Sequence, residues 1–143
     1  MCIRDSGKVN AGATLETAFH PFLRRLRNLH CPIVTAVNGP AAGAGMSFAL
    51  MGDMILCARS SYFLQAFRRI GLVPDCGSTW LLPRLIGKAR AMEMALMGER
   101  LPAKTALDWG LVNRCVPDDQ RTCLLYTSPS PRDRTRSRMP SSA

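Results

Sequence analysis

The chain has 143 residues, of which 47% are hydrophobic, with 19 basic and 10 acidic side chains and a net charge of +9. This size predicts one modest domain, and no stretch approaches the roughly 20 apolar residues of a membrane-spanning helix. The six cysteines contain no C-x-x-C pair, which predicts reduced thiols in a cytoplasmic protein rather than a disulfide framework or a metal site.

The two ends of the chain are predicted to be artefacts of DNA preparation. Residues 1–6 can be encoded by ATG TGT ATA AGA GAC AG, and the reverse complement of that string contains TGT CTC TTA TAC ACA. Those codons read Cys-Leu-Leu-Tyr-Thr, the sequence of residues 123–127, and both ends resemble the mosaic end of a transposase-based sequencing adapter. A disordered basic tail is the alternative for residues 123–143. We therefore expect a partial domain over residues 7–122, cut at both ends.

The net charge does not favour a nucleic-acid partner once the ends are set aside. Residues 7–122 keep 14 basic and 8 acidic side chains, a net charge of +6. These charges are spread along the chain in ones and twos, which is typical of solvated helix faces.

The first half of the partial domain predicts a helix, a strand and a second helix. Apolar residues recur at spacings of three and four over residues 15–29, which predicts an amphipathic helix that starts or kinks at Pro21. A short buried strand is expected at 33–37. A turn of small residues at 38–45 then leads into a helix from Gly43 to about Met51.

The second half alternates short extended segments with helices. Strands are predicted at 53–58 and 62–64, followed by a turn at 74–77. Further helices are predicted at 80–86, 88–97 and 102–109, and extended structure at 111–116. This order suits repeated strand–strand–helix units and an α/β fold.

The turn at 38–45 is the first candidate for function. Gly39, Gly43 and Gly45 can take positive φ or let a ligand approach the backbone, and the first N–H groups of the following helix lack helical partners. Such a helix start suits a developing negative charge. On its own the pattern fits tight helix packing equally well, and Asp75 alone fits a solvent-facing turn residue.

Several motifs in a fixed order are more informative than either feature alone. They are PIVTAVNGPAAGAG at 32–45, Asp53, GLVPD at 71–75, LPRLIG at 82–87 and WGLV at 109–112. Together they closely resemble the crotonase (enoyl-CoA hydratase/isomerase) superfamily. The resemblance implies an α/β fold, the central part of a crotonase-type ββα superhelix (spiral fold), incomplete at both ends.

The resemblance also implies a substrate and a mechanism. The family binds an acyl-CoA thioester, holds its carbonyl oxygen between two backbone N–H groups and stabilises the enolate. Carried onto this chain, one of those donors is the Ala44 N–H, with Gly43 and Gly45 beside the substrate. No cofactor is implied, because coenzyme A is part of the substrate.

The acid–base residues implied by the resemblance favour isomerisation. Hydratases of the family use two glutamates, and those positions fall at Ser47 and Phe67. The remaining carboxylate is Asp75, where isomerase branches place an aspartate, and residues 74–80 look most like the epoxyphenylacetyl-CoA isomerases. Phe67 and Trp80 are expected either to line an aryl or acyl pocket or to be core residues. A catalytic thiol at Cys76 is disfavoured because no histidine accompanies it.

Other readings remain open. Another crotonase reaction, by a hydratase, dehalogenase or thioester hydrolase, is the first alternative, since an aspartate on this loop can act as a nucleophile. A complete protein is expected to form a homotrimer or hexamer, without nucleic-acid or membrane partners. The 143-residue chain by itself is expected to be inactive, because it lacks the strand that supplies the other oxyanion N–H.

Overall fold

A computed structural model describes residues 11–119. Residues 1–10 and 120–143 lie outside the described part, and so do both predicted adapter segments. The α-helices are α1 (Ala11–Thr14), α2 (His20–Arg27), α3 (Ala44–Ala49), α4 (Ser78–Met97) and α5 (Ala103–Asp108). A π-helix, Leu15–Phe19, joins α1 to α2, and a 3-10 helix, Ala66–Ile70, precedes α4.

The six strands of residues 11–119 form two three-stranded sheets. They are β1 (Val34–Val37), β2 (Pro40–Ala42), β3 (Met54–Ala58), β4 (Tyr62–Leu64), β5 (Leu101–Pro102) and β6 (Arg114–Val116). One sheet has the order β1-β3-β6 and is parallel. The other has the order β2-β4-β5, in which β2 and β4 are parallel and β5 is antiparallel.

In each of the successive pairs β1–β2 and β3–β4, the first strand lies in one sheet and the second strand lies in the other. The unit β1-β2-α3 is followed by β3-β4-α4, which confirms the predicted α/β class and the strand–strand–helix order. Register places Ala36 beside Leu56 in the first sheet and Ala42 beside Leu64 in the second. The turn between β2 and α3 consequently lies next to the end of β4.

One of the two expectations placed the start of the N-terminal helix at Pro21, and that expectation is wrong. The chain is helical from Ala11, and the His20 N–H donates to the Leu15 carbonyl oxygen across the π-helical turn. Proline lacks an N–H, so an extra residue in the preceding turn lets the helix pass Pro21.

Aromatic contacts pack this helix against α3. The Phe19 ring stacks on Phe48 at a centroid distance of 5.8 Å, and Phe22 meets Phe48 edge-on at 5.5 Å. These contacts hold one side of α3. Met46 within α3 and Leu50 directly after it are buried in the core. Helix α3 therefore packs against both the N-terminal helix and the core.

The strand predicted at 33–37 is shorter and less buried than expected. It comprises Val34–Val37 with alternating exposed and half-buried residues, and Val34 is 46% exposed. The physical reason is its position at the end of the β1-β3-β6 order, where only β3 pairs with it among the described residues. The continuous apolar run therefore did not indicate burial on both faces.

The predicted ends of the helices at 80–86 and 88–97 are confirmed, and a glycine follows each of them. Gly87 has φ 79° and ψ 159° and divides α4 into two helical segments, and Gly98 caps its end with φ 62°. Among residues 11–119, no helix combines the length and the apolar character that crossing a membrane requires.

Gly52 is predicted to be required for close packing at the junction between α3 and β3. A Cβ there would collide with Thr35 Oγ1 and lie 3.2 Å from the Met54 backbone oxygen. The Thr35 hydroxyl cannot easily move, because it donates to the Ala49 carbonyl oxygen at 2.9 Å. We expect Gly52→Ala to lower the free energy of unfolding by about 1–3 kcal/mol, measured by urea denaturation.

Gly39→Ala is the matched control. No heavy atom lies within 4 Å of a Cβ built at Gly39, and its backbone does not need a positive φ. We expect a change within about 0.5 kcal/mol. Equal effects of the two substitutions would contradict the packing at Gly52.

Candidate active site

The turn between β2 and α3 is built around one glycine. Gly43 has φ 55° and ψ −126°, a combination that side-chain-bearing residues avoid. Its N–H donates to the Leu64 carbonyl oxygen at 2.9 Å, and its own carbonyl oxygen accepts from the N–H groups of Met46 and Ser47. Gly43 is therefore fixed on both sides, to β4 and to α3.

The first backbone donors of α3 have no acceptor among residues 11–119. Ala44 is the first residue of α3, and its N–H has no acceptor among residues 11–119. The residue is partly exposed, so an external atom can reach the donor. The neighbouring Gly45 is exposed, and nothing lies within 4 Å of a Cβ built there.

Phe67 covers the turn from the other side. A Cβ built at Gly43 would lie 3.6 Å from Phe67 Cζ, and Phe67 is only 8% exposed. The ring lies in the 3-10 helix Ala66–Ile70, directly after β4. Sequence reasoning missed this helix, because its five residues show no complete apolar period.

Asp75 is held through its backbone. Its carbonyl oxygen accepts from Ser47 Oγ at 3.2 Å, from Ser78 Oγ at 2.9 Å and from the Ser78 N–H at 3.1 Å. The Ser47 bond spans 28 residues and brings the loop of Asp75 to the first turn of α3. The structure therefore brings Asp75 and Ala44 to the same region of the chain.

One oxygen of the Asp75 side chain is left unpaired. Its Oδ1 is buried and has no hydrogen-bond partner among the described residues. A buried carboxylate oxygen without a donor is costly. Within residues 12–119 no three His, Cys, Asp or Glu side chains lie together as a metal ion would require.

Comparison with known proteins identifies this arrangement. A sequence model of the family described as Enoyl-CoA hydratase/isomerase matches residues 3–123. The chain belongs to the enoyl-CoA hydratase/isomerase family, the crotonase superfamily.

Three relatives show the range of activities around this chain. It is 50% identical over 108 residues to the 1,2-epoxyphenylacetyl-CoA isomerase of Escherichia coli strain K12, covering 76% of this chain and 41% of that enzyme. It is 46% identical over 110 residues to a Rhodobacter capsulatus protein named "Probable enoyl-CoA hydratase", covering 77% and 43%. A 4-chlorobenzoyl coenzyme A dehalogenase of an Arthrobacter species is 38% identical over 96 residues, covering 67% and 35%.

A solved structure confirms the crotonase fold of the described part. The enoyl-CoA hydratase/isomerase of Cupriavidus metallidurans CH34 superposes with a TM-score of 0.76 at 34% identity, covering 85% of this chain and 46% of that one. The chain thus spans less than half the length of the crotonases it matches, which agrees with an incomplete α/β spiral.

In this crotonase chain, Trp80 lines a cavity that Phe67 does not line. The Trp80 ring is 49% exposed and lines a cavity of about 540 Å³ together with α2, Cys76 and Gly77. The Arg84 guanidinium lies 3.8 Å from the centre of the ring. Phe67 does not line this cavity, so the two aromatic residues predicted for one pocket lie in different surroundings.

Cys76 does not have the properties of a catalytic nucleophile. Burial raises the pKa of its thiol to about 12, and the adjacent Asp75 carboxylate adds to the shift. The thiolate, rather than the thiol, is the nucleophile, so Cys76 stays unreactive at neutral pH. His20 lines the same cavity as Cys76, a neighbour that the sequence separation concealed, but the raised pKa opposes an activated pair.

Ser47 is the residue at the site that the sequence did not identify as important. It was considered only as a missing glutamate, whereas it is fully buried and hydrogen-bonded to Asp75. No local signal could have revealed a partner so distant along the chain.

Thiol reactivity tests this description of the cysteines. Cys31 is exposed, while burial raises the pKa of Cys57 to about 11 and that of Cys76 to about 12. At pH 8 we expect iodoacetamide to modify Cys31 in the folded protein, and Cys57 and Cys76 only after unfolding. Peptide mass spectrometry measures each site, and fast modification of Cys76 in the folded protein would contradict the assignment.

The same thiols make stability depend on alkaline pH. In the unfolded chain a cysteine ionises near pH 8.5, whereas in the folded protein Cys57 and Cys76 keep their protons to about 11 and 12. The unfolded state therefore loses these protons first, and their stabilising contribution is intact below about pH 8.5 and is lost as the pH rises toward 12.

Proposed function

We propose that the full-length protein containing this chain is an acyl-CoA isomerase of the enoyl-CoA or epoxyphenylacetyl-CoA type. The observation that carries the proposal is the pair of unused groups at one place: the Ala44 N–H without an acceptor and the buried Asp75 Oδ1 without a donor. One is suited to an oxyanion and the other to a proton. The 50% identity to a 1,2-epoxyphenylacetyl-CoA isomerase supports this choice.

The proposed reaction uses no external reactant. Asp75 takes the proton from C2 of the thioester, and the resulting enolate oxygen accepts from the Ala44 N–H. A preset donor at the position of developing charge lowers the barrier by about 3–4 kcal/mol. Asp75 then returns the proton to another carbon of the allylic system, or the enolate electrons break a C–O bond of an adjacent epoxide and Asp75 gives the proton to the released oxygen. The protonation state of Asp75 is restored at the end, so the net change is isomerisation.

Residues 47 and 67 argue against addition of water. Position 47 is a buried serine whose hydroxyl hydrogen is committed to backbone carbonyl oxygens. Position 67 is a phenylalanine packed on Gly43. Neither side chain can act as the general acid or base that hydration needs, although a relative at 46% identity is named as a hydratase.

The remaining parts of the site are also proposals. Gly43, Gly45, Phe67 and Trp80 would contact the acyl-CoA, with Phe67 closing the turn and Trp80 lining the cavity beside Cys76. No cofactor is needed beyond the coenzyme A of the substrate. We further propose a cytoplasmic homotrimer or hexamer that uses neither nucleic acid nor membrane.

Dehalogenation is the second candidate, because an unpaired aspartate can also attack carbon. A relative named as a 4-chlorobenzoyl coenzyme A dehalogenase is 38% identical. Product analysis distinguishes the two reactions: an enoyl-CoA or epoxyphenylacetyl-CoA substrate yields an isomer of unchanged mass, whereas a chloroaryl-CoA yields chloride.

Asp75→Asn is expected to remove turnover and leave binding intact. The amide keeps the shape of the carboxylate but cannot accept the C2 proton, so we expect kcat to fall by about 10²–10⁴-fold. Calorimetry should give an acyl-CoA affinity within about threefold of the unchanged enzyme. Both measurements are made on the full-length protein.

Asp108→Asn is the matched control, since Asp108 is exposed at the end of α5. The control should retain full activity. Turnover retained by Asp75→Asn would exclude Asp75 as the proton carrier.

A further inference from the structure

Ser47 joins the two halves of the site through a single buried hydroxyl. Its Oγ lies 3.2 Å from the carbonyl oxygen of Asp75 and 3.5 Å from that of Gly43. Ser47 is 0% exposed, so water does not compete for these bonds. The same side chain thus touches the residue before Ala44 and the residue that carries the carboxylate.

The Asp75 carboxylate has no anchor of its own at Oδ1. That atom is buried and unpaired among the described residues, so its location depends on where the backbone of residue 75 is held. The backbone is fixed by three donors on one carbonyl oxygen, two from Ser78 and one from Ser47. The Ser78 donors are local to the loop, and only the Ser47 donor relates the loop to α3.

We propose that Ser47 is a positioning residue for proton transfer. Its hydroxyl sets the distance between the Asp75 carboxylate and the oxyanion donor Ala44 by tying the Asp75 carbonyl to the first turn of α3. This inference rests on the proposed function and assigns a role to a residue that the reaction itself does not use.

The chemistry of residue 47 explains why a serine suits this role. A hydroxyl can donate to a carbonyl oxygen, whereas an ionised carboxylate can only accept. A glutamate here would place negative charge against the Asp75 carbonyl oxygen and would have to fit a fully buried position. A short donor at 47 and an acid at 75 are therefore mutually compatible, and the site is committed to one carboxylate.

The test compares two buried serines in the full-length protein. Ser47→Ala removes the link to Asp75. Ser61→Ala is the control, because Ser61 is 2% exposed and donates to the Ala58 carbonyl oxygen, away from the site. Three quantities are measured for each: kcat and KM for an enoyl-CoA, deuterium exchange at C2 of the acyl-CoA in D₂O, and thermal unfolding.

We expect Ser47→Ala to lower kcat and the C2 exchange rate about tenfold, with KM changed less than twofold. Misplacing a proton carrier slows the transfer step without removing binding contacts. Ser61→Ala should retain the kcat and the exchange rate of the unchanged protein even where its unfolding temperature falls. A kcat for Ser47→Ala within twofold of the unchanged protein, or an equal loss in Ser61→Ala, would overturn the proposal.

Ser47→Cys keeps the test decisive where Ser47→Ala does not fold. It keeps the shape of the side chain but replaces the hydroxyl that donates to the Asp75 carbonyl oxygen with a thiol, which is a weak donor. We expect a loss of kcat and exchange in the same direction, and activity equal to the unchanged protein would refute the positioning role.

The exchange measurement separates this inference from the proposed function. An unchanged protein that exchanges C2 but releases a product other than an isomer would refute isomerisation, and the exchange rates of the variants would still decide the role of Ser47. Absence of exchange in the unchanged protein would refute both.

Discussion

The conformation of Gly43 is the constraint on which the site depends. With φ 55° and ψ −126°, the chain reverses between β2 and α3 within one residue. The N–H of Gly43 completes the pairing with β4 at Leu64, and its carbonyl oxygen begins α3. The next N–H, that of Ala44, has no acceptor among residues 11–119. A side chain at position 43 would have space but not the backbone freedom.

The backbone carbonyl oxygen of Asp75 is paired, whereas its Oδ1 and the Ala44 N–H have no partner among the described residues. The Asp75 carbonyl oxygen accepts three hydrogen bonds, while its Oδ1 accepts none among the described residues. Cys76 next to it has φ 52°, the one positive value for a non-glycine in residues 11–119. A buried unpaired oxygen costs about 1–3 kcal/mol, and such strain persists where surrounding bonds fix the chain. Strained backbone conformations of this kind cluster at active sites.

Much of the fold could be predicted from local signals. Glycines at 87, 98 and 110 marked helix ends because each takes a positive φ there. Residues 62–64, Tyr-Phe-Leu, showed the aromatic character typical of a strand. Strands β2 and β5 were missed because they are two or three residues long, each with a proline, and exist only through pairing with β4. Asp75 and Ala44 were predicted as site residues from the resemblance of motifs. The Ser47 bond depends on a contact between distant segments, which no local pattern encodes.

A crystal structure of the full-length protein with an unreactive acyl-CoA analogue tests the assignment of Ala44 and Asp75 most directly. The thioester carbonyl oxygen should lie about 3 Å from the Ala44 nitrogen, with C2 about 3–3.5 Å from an Asp75 carboxylate oxygen. A thioester bound with its carbonyl oxygen away from Ala44, or with C2 beyond the reach of Asp75, would contradict the proposed site.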